Sequence, residues 1–339
     1  MFASACSGAS PGSALSIAVF NAEDFDYVDG VHAQESVYPA SYSYAAAADS
    51  IATNAIDVIV FTEIQPYDTG LLAQELAARD ISMTYRITTS NTSNPQANGM
   101  FDDEISIWSR FEITHFSQIL RGSYIDPVSL EFVNAPRYIL RACVDVGGLP
   151  VWFYGAHLKS TTTATLSSDM KRRRAQAHAL EAYIKANHDP VREYIVVLGD
   201  MNTTDPSEFE GEHSTMSCLR MGCIYPYNTA NQFTAVNYKY LPITWDGYGY
   251  SGGHSGGYTW KSYYTHTPWT GLLDHIILSP ALYARYVSGS AAILMKNVTP
   301  RTSDHYPVML KVARECGAFA LYSPSRVCRK TWARPRARL

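Results

Sequence analysis

The amino-acid sequence predicts an α/β protein in which two β-sheets pack face to face with helices outside. Three observations predict it. Short apolar runs rich in β-branched and aromatic residues recur along the chain. Several are apolar almost throughout, as strands covered on both faces are. Stretches of helical character fall between the runs instead of forming a block of their own. Composition agrees: of 339 residues, 46% are hydrophobic, 12% aromatic and only 17% charged. A chain of that kind buries a full core and is neither disordered nor fibrous.

Taken in order, residues 1–14 read as a flexible leader or the remnant of an export signal. Strands are expected at 15–20, 57–61, 81–87, 105–108, 138–146, 151–154, 194–198, 272–278, 287–294 and 307–312, each short and bounded by turn residues. Helices are expected at 41–53, which is Ala-rich, at 71–79, and most clearly at 169–187. There Leu180, Tyr183 and Ile184 form one face while Glu181 and Lys185 point away. Residues 203–258 are rich in Gly, Tyr, Asn, Thr and Ser and read as an insertion, the kind of long loop that shapes a site. With no internal repeat or dividing linker, residues 15–313 form one domain, followed by a basic tail over 314–339 stapled by a disulfide.

Charge and cysteines bound the function. A net charge of −4 means that a polyanionic substrate must be met by a local basic patch. The run Lys171–Arg174 and the tail from Arg329 to Arg338 are the candidates, with a solvated helix start and a loose tail as the plainer readings. Six cysteines suit an oxidising compartment and an exported protein, secreted or periplasmic. Cys218 with Cys223 and Cys316 with Cys328 are expected to bridge locally. Cys6 remains to pair with Cys143 or, given its lipoprotein-like context, to carry a lipid anchor. No zinc-ligand spacing is present, and no apolar run is long enough to cross a bilayer.

The chemistry-bearing residues stand at the ends of the apolar runs. Asn21 follows the first, Glu63 the second, His157 follows Trp152–Ala156, and Asp200 and Asn202 follow Ile195–Gly199. Asp274 lies within Leu272–Ile276, and Asp304 and His305 precede Tyr306-Pro307. Each alone is more often a cap or turn former. Gathered at one rim, these carboxylates, amides and imidazoles have the parts a phosphoester hydrolase needs: oxygen ligands for a hard cation, proton carriers near neutral pH, and donors for phosphoryl oxygens. Of the ten histidines, only His157 and His305 are assigned to chemistry; His275 would alternate to the other side of its strand.

These segments resemble, in order, the signature of the endonuclease/exonuclease/phosphatase superfamily of deoxyribonuclease I-like proteins, and are closest in character to bacterial secreted nucleases. The resemblance rests on 16–21, 58–63, Gly-Ala-His-Leu-Lys at 155–159, Gly-Asp-Met-Asn at 199–202, 273–276 and Ser-Asp-His at 303–305. It implies a four-layer α/β sandwich, two mixed sheets between helices, with metal and substrate at one sheet edge. It also implies a Mg²⁺ or Mn²⁺ cofactor, with room for a structural Ca²⁺, and nucleic acid, DNA foremost, as substrate of a monomer needing no obligate protein partner. Residue by residue, Glu63 would be the main metal ligand with Asn21 and Asp304 beside it. Asp200 would orient the attacking water. Asn202, Arg137 and Asn21 would contact the phosphate. His157 and His305 would be the catalytic pair, held by Asp103 (or, failing it, Glu104) and Asp274.

Departures from that pattern set the alternatives. Phe101 stands where the nuclease pattern often has a tyrosine. The Trp-Cys-Asp-Arg signature of inositol-polyphosphate phosphatases and the His-Thr-Gln run of sphingomyelinases are absent. The sequence therefore points to a secreted endonuclease acting on DNA, with a phosphomonoesterase or phospholipase-type hydrolase as the alternative and a non-catalytic binder disfavoured by the full set of acids and histidines.

Overall fold

The computed structural model describes residues 14–22, 41–64, 66–89, 105–160, 166–203, 208, 214–221, 239–240, 244–245, 260–261, 270–271, 273–294 and 305–314. Strands run in the order β1 (Ala14–Asn21), β2 (Val58–Thr62), β3 (Tyr85–Thr88), β4 (Ile105–Ser109), β5 (Ile113–Ile119), β6 (Gly122–Ile125), β7 (Phe132–Ala135), β8 (Ile139–Asp145), β9 (Pro150–His157) and β10 (Tyr194–Asp200). They continue as β11 (Lys239–Tyr240), β12 (Thr244–Trp245), β13 (Trp260–Lys261), β14 (Thr270–Gly271), β15 (Asp274–Leu278), β16 (Ala292–Ile293) and β17 (Val308–Ala313). The helices are α1 (Ser41–Thr53), α2 (Pro66–Ala77), α3 (Leu166–Asn187), α4 (Thr215–Met221) and α5 (Pro280–Tyr283).

Two mixed sheets carry the fold, ordered β12-β16-β17-β1-β2-β4-β3 and β11-β15-β10-β9-β8-β5. Between them lies a buried apolar layer that includes Leu15, Ile17, Val19, Val60, Ile107, Leu140, Phe153, Val196 and Leu310. Alternate residues of the same strands face outward. Phe20, Ile59 and Phe61 meet Tyr44, Ile51, Leu72 and Leu76 of α1 and α2, and Tyr154, Ile195 and Val197 meet Ala177, Leu180 and Ile184 of α3. Strands apolar on both faces thus give four layers, as expected. Gly155 sits in close packing between the sheets: a Cβ there would lie 2.9 Å from Ile105 Cγ2 and 3.0 Å from Val60 Cγ1.

Register does the positioning. On one sheet Asn21 pairs with Thr62, next to Glu63. On the other, Asp200 pairs with His157 of parallel β9 and with Asp274 of antiparallel β15. Three site residues therefore stand side by side at one level across three neighbouring strands.

Several expectations needed correction. Residues 81–84 are not strand and β3 holds only Tyr85–Thr88; within 287–294 only Ala292–Ile293 is strand. The β5 strand and the β6–β7 hairpin were not expected, because their alternation is half polar and half exposed. Glu181 does not point to solvent: it is buried and ion-paired with Lys185, one helical turn on. Nor is Lys171–Arg174 an open basic patch. Lys171 pairs with Glu131 at 2.8 Å, Arg173 with Glu208 at 2.8 Å and Arg174 with Asp126 at 2.6 Å, while Arg172 lies 3.8 Å from Asp169. Carboxylates neutralise the run locally. Cys143 is a buried thiol within β8, which removes the Cys6–Cys143 pairing. Cys218 is disulfide-bonded; Cys6, Cys223, Cys316 and Cys328 lie outside the described residues, as do the leader and the tail beyond 314. No helix among the described residues is long and apolar enough to cross a membrane.

Candidate active site

The site forms where β1, β2, β9 and β10 end and the antiparallel β15 begins. Two of its residues adopt left-handed backbone, Glu63 at φ 53° and Asn202 at φ 51°. Non-glycine residues rarely do so outside functional turns. Gly199 has φ +149°, and a Cβ on it would fall 1.7 Å from the Ala156 carbonyl oxygen. Only glycine lets β10 approach β9 there, and that approach delivers Asp200 to the rim.

Asp200 is the hub. Its Oδ2 accepts from Asn21 Nδ2 at 3.0 Å and lies 3.8 Å from both His157 Nε2 and His305 Nε2. Its Oδ1 accepts from the Asn202 backbone N–H at 2.7 Å. Asn21 Nδ2 also donates to Glu63 Oε1 at 3.1 Å, and His157 Nε2 stands 3.3 Å from that same oxygen. His305 Nδ1 is 2.7 Å from Asp274 Oδ2, so its tautomer is set with Nε2 facing the site. His275, by contrast, turns away and meets Thr203 Oγ1 at 2.9 Å. The structure thus brings together Asn21, Glu63, His157, Asp200, Asn202, Asp274 and His305.

Burial governs the electrostatics. It drives the His157 imidazole well below its ordinary range, helped by Arg137, His305 and Lys159, so the ring is neutral. It lifts the Asp200 carboxyl to about 6, a rise that Asp274 adds to and that His305, Asn202 and Asn21 oppose. Packed carboxylates of this kind are short of positive charge. Ligand atoms of Glu63, His157 and Asp200 lie within 4.8 Å of one another, as do those of Asp200, Asp274 and His305. Among the described residues neither ring nitrogen of His157, though buried, has a hydrogen-bond partner. Oxygen donors around an amide, with a buried imidazole beside them, fit a hard divalent cation better than a closed thiolate or imidazole cage.

The opposite wall is built on one backbone carbonyl. Leu158 O accepts from Arg137 Nη1 at 2.8 Å and from Asn202 Nδ2 at 3.0 Å, so the two expected phosphate donors share an anchor just past His157. Lys159 folds back, its Nζ 3.0 Å from Ser160 O, and burial lowers its pKa. Asp103 with its runner-up Glu104, Asp304 and Phe101 lie outside the described residues. Sequence reading missed the Leu158 carbonyl and Gly199. The first has no side-chain signal at all; the second stands in the quoted motif and reads as a plain turn glycine.

Comparisons with known proteins bear on the family and the fold. A family model described as Endonuclease/Exonuclease/phosphatase family matches residues 31–305. No curated protein matches by sequence. Among solved structures, truncated TDP2 of Caenorhabditis elegans superposes with a TM-score of 0.56 at 12% identity, covering 89% of this chain and 98% of that one. Beta toxin 275-280 of Staphylococcus aureus gives 0.56 at 16% identity over 87% and 99%. TDP2 of D. rerio complexed with single strand DNA product gives 0.50 at 16% identity over 88% and 98%. Likeness at such identity concerns the fold.

Proposed function

Since the chain belongs to the endonuclease/exonuclease/phosphatase family, whose members are hydrolases acting on phosphodiester bonds, we propose that it is an exported, Mg²⁺- or Mn²⁺-dependent endonuclease acting on DNA. The observation that carries the reading is the convergence of His157 Nε2 and His305 Nε2 on one oxygen of Asp200, 3.8 Å from each. Imidazoles so placed take a proton from water and give one to the departing oxygen on either side of a phosphorus atom. Asp274 holds His305 for that exchange, and Asp200 orients the water. Arg137 and Asn202 hold phosphoryl oxygens on the other wall. Glu63, Asn21 and Asp200, with Asp304, would hold the cation, which when bound supplies positive charge at the phosphoryl oxygen and the leaving group. The D. rerio relative, whose structure contains a single strand DNA product, supports DNA as the substrate. We also read the protein as a monomer in which Cys218–Cys223 and Cys316–Cys328 are bridged.

One feature favours a second reading. The β6–β7 hairpin exposes Ile125, Val128, Leu130 and Phe132, apolar surface of the sort that meets a lipid phosphodiester. Purified protein tested on plasmid DNA, RNA, sphingomyelin vesicles and bis(p-nitrophenyl) phosphate, with Mg²⁺ or with excess chelator, decides between them. Nicking of plasmid that stops with chelator supports the nuclease. Hydrolysis of vesicles with plasmid left intact replaces it with the lipid reading.

A further inference from the structure

Among the buried polar side chains of helix α3, Arg173 and Gln176 reach toward the candidate site without a role in the chemistry so far. Arg173 and Gln176, one turn apart, are 0% and 1% exposed. Arg173 grips Glu208 with Nε and Nη2, both at 2.8 Å, and gives Nη1 to the Lys159 carbonyl at 2.7 Å. Glu208 is held in turn by Thr215 Oγ1 at 2.9 Å. Gln176 gives Nε2 to the carbonyl of Arg137 at 2.9 Å and to that of Leu120 at 3.3 Å. One helix face therefore fixes the backbone of Arg137 directly, and fixes the residue after Leu158, whose carbonyl anchors the Arg137 guanidinium and the Asn202 amide.

We infer that Arg173 and Gln176 are positioning residues for phosphate binding, setting the reach of Arg137 and Asn202 through the carbonyls of Arg137 and Lys159. The inference rests on Arg137 as a phosphate contact in the proposed reaction. Its physical basis is steep: a donor displaced by about 1 Å costs on the order of 100-fold in rate. A buried bidentate Arg–Glu pair holds its neighbours to tighter tolerance than a loop can, and lysine, a point charge without the fork, does not replace it. An ion pair serving stability alone has no need to place a further donor on the carbonyl of Lys159, two residues past His157.

The test is a double-mutant cycle on kcat with bis(p-nitrophenyl) phosphate and plasmid DNA, with melting temperatures measured alongside. Gln176→Leu and Arg173→Lys should each lower kcat about 10-fold. In an Arg137→Ala background each should lose most of that effect, the double variants falling at least about threefold short of the product of the single losses. Should Arg173→Lys fail to fold, Gln176→Leu carries the cycle, with Gln176→Met as the milder form. A purely structural role would lower the melting temperature and multiply fully with Arg137→Ala, and that result overturns the inference. Arg137→Ala with undiminished hydrolysis removes the phosphate contact and this inference together. Impaired Arg137→Ala with full multiplication removes the inference alone.

Discussion

His305 has one ring nitrogen committed to Asp274 and the other facing Asp200, and a residue so divided depends on its partner as much as on itself. Asp274→Asn should therefore resemble His305→Ala, each lowering kcat by about 10²–10⁴. Combining them should cost far less than the product of the two, since they act as a unit. Steady-state kinetics of the three variants check this, and fully multiplicative losses would contradict it. Gly199→Ala should fail differently, through the backbone. With a Cβ 1.7 Å from the Ala156 oxygen, β10 must shift, at about 3 kcal/mol or more, read as a fall in urea midpoint. At this scale the sequence was legible wherever a charged or amide side chain closes an apolar run, as Glu63, His157 and Asp200 do. It was silent on the Leu158 carbonyl, because any residue supplies one.

The elements show why some readings failed. The clear strands are those buried on both faces, such as β1, β9 and β10. The β6–β7 hairpin, exposed on alternate residues that mix polar and apolar side chains, owes its place to tertiary contacts. Asp126, fully buried in its turn, accepts from Arg174 Nε and Nη2 at 2.6 Å and from Ser129 N at 2.9 Å. Likewise the basic run on α3 looked like a patch because its partners, Glu131, Asp126 and Glu208, are distant in sequence. Burial pushes the Asp126 carboxyl up, but Arg174 and Ser129 outweigh it and hold it below the ordinary range. A carboxyl depressed in the folded state contributes stability that is present above its unfolded pKa, about 4, and is lost as pH falls through the folded value. Asp126→Asn should destabilise by about 3–5 kcal/mol at neutral pH, leaving Arg174 without its buried counter-charge. The gap from the parent should narrow in urea melts below about pH 4. A gap independent of pH would show that the ion pair is not its source.

Across the whole molecule, the candidate site is a joint between two sheets: β1 and β2 bring Asn21 and Glu63, while β9, β10 and β15 bring His157, Asp200 and Asp274. A cation held by both sides should cross-link them. Millimolar Mg²⁺ should raise the melting temperature of the parent, and Glu63→Gln should abolish that rise and cut turnover at least about 100-fold. An equal rise in parent and variant would place the ion elsewhere. The two-sheet plan was legible because strands apolar on both faces leave few alternatives, while its four-layer form came from the family resemblance and the insertion's composition fixes no pairing. One further consequence follows from the antiparallel pairing of β1 with β17, in which Ala14 sits opposite Ala313. Pulled apart at those two positions, the strands meet the load at one end of their ladder. Their hydrogen bonds then break one after another, from Ala14 toward Val19, instead of shearing together. In a force spectrometer the sheet should open at low force like a zipper, and Asn21, at the far end of β1, should be among the last of that strand to leave.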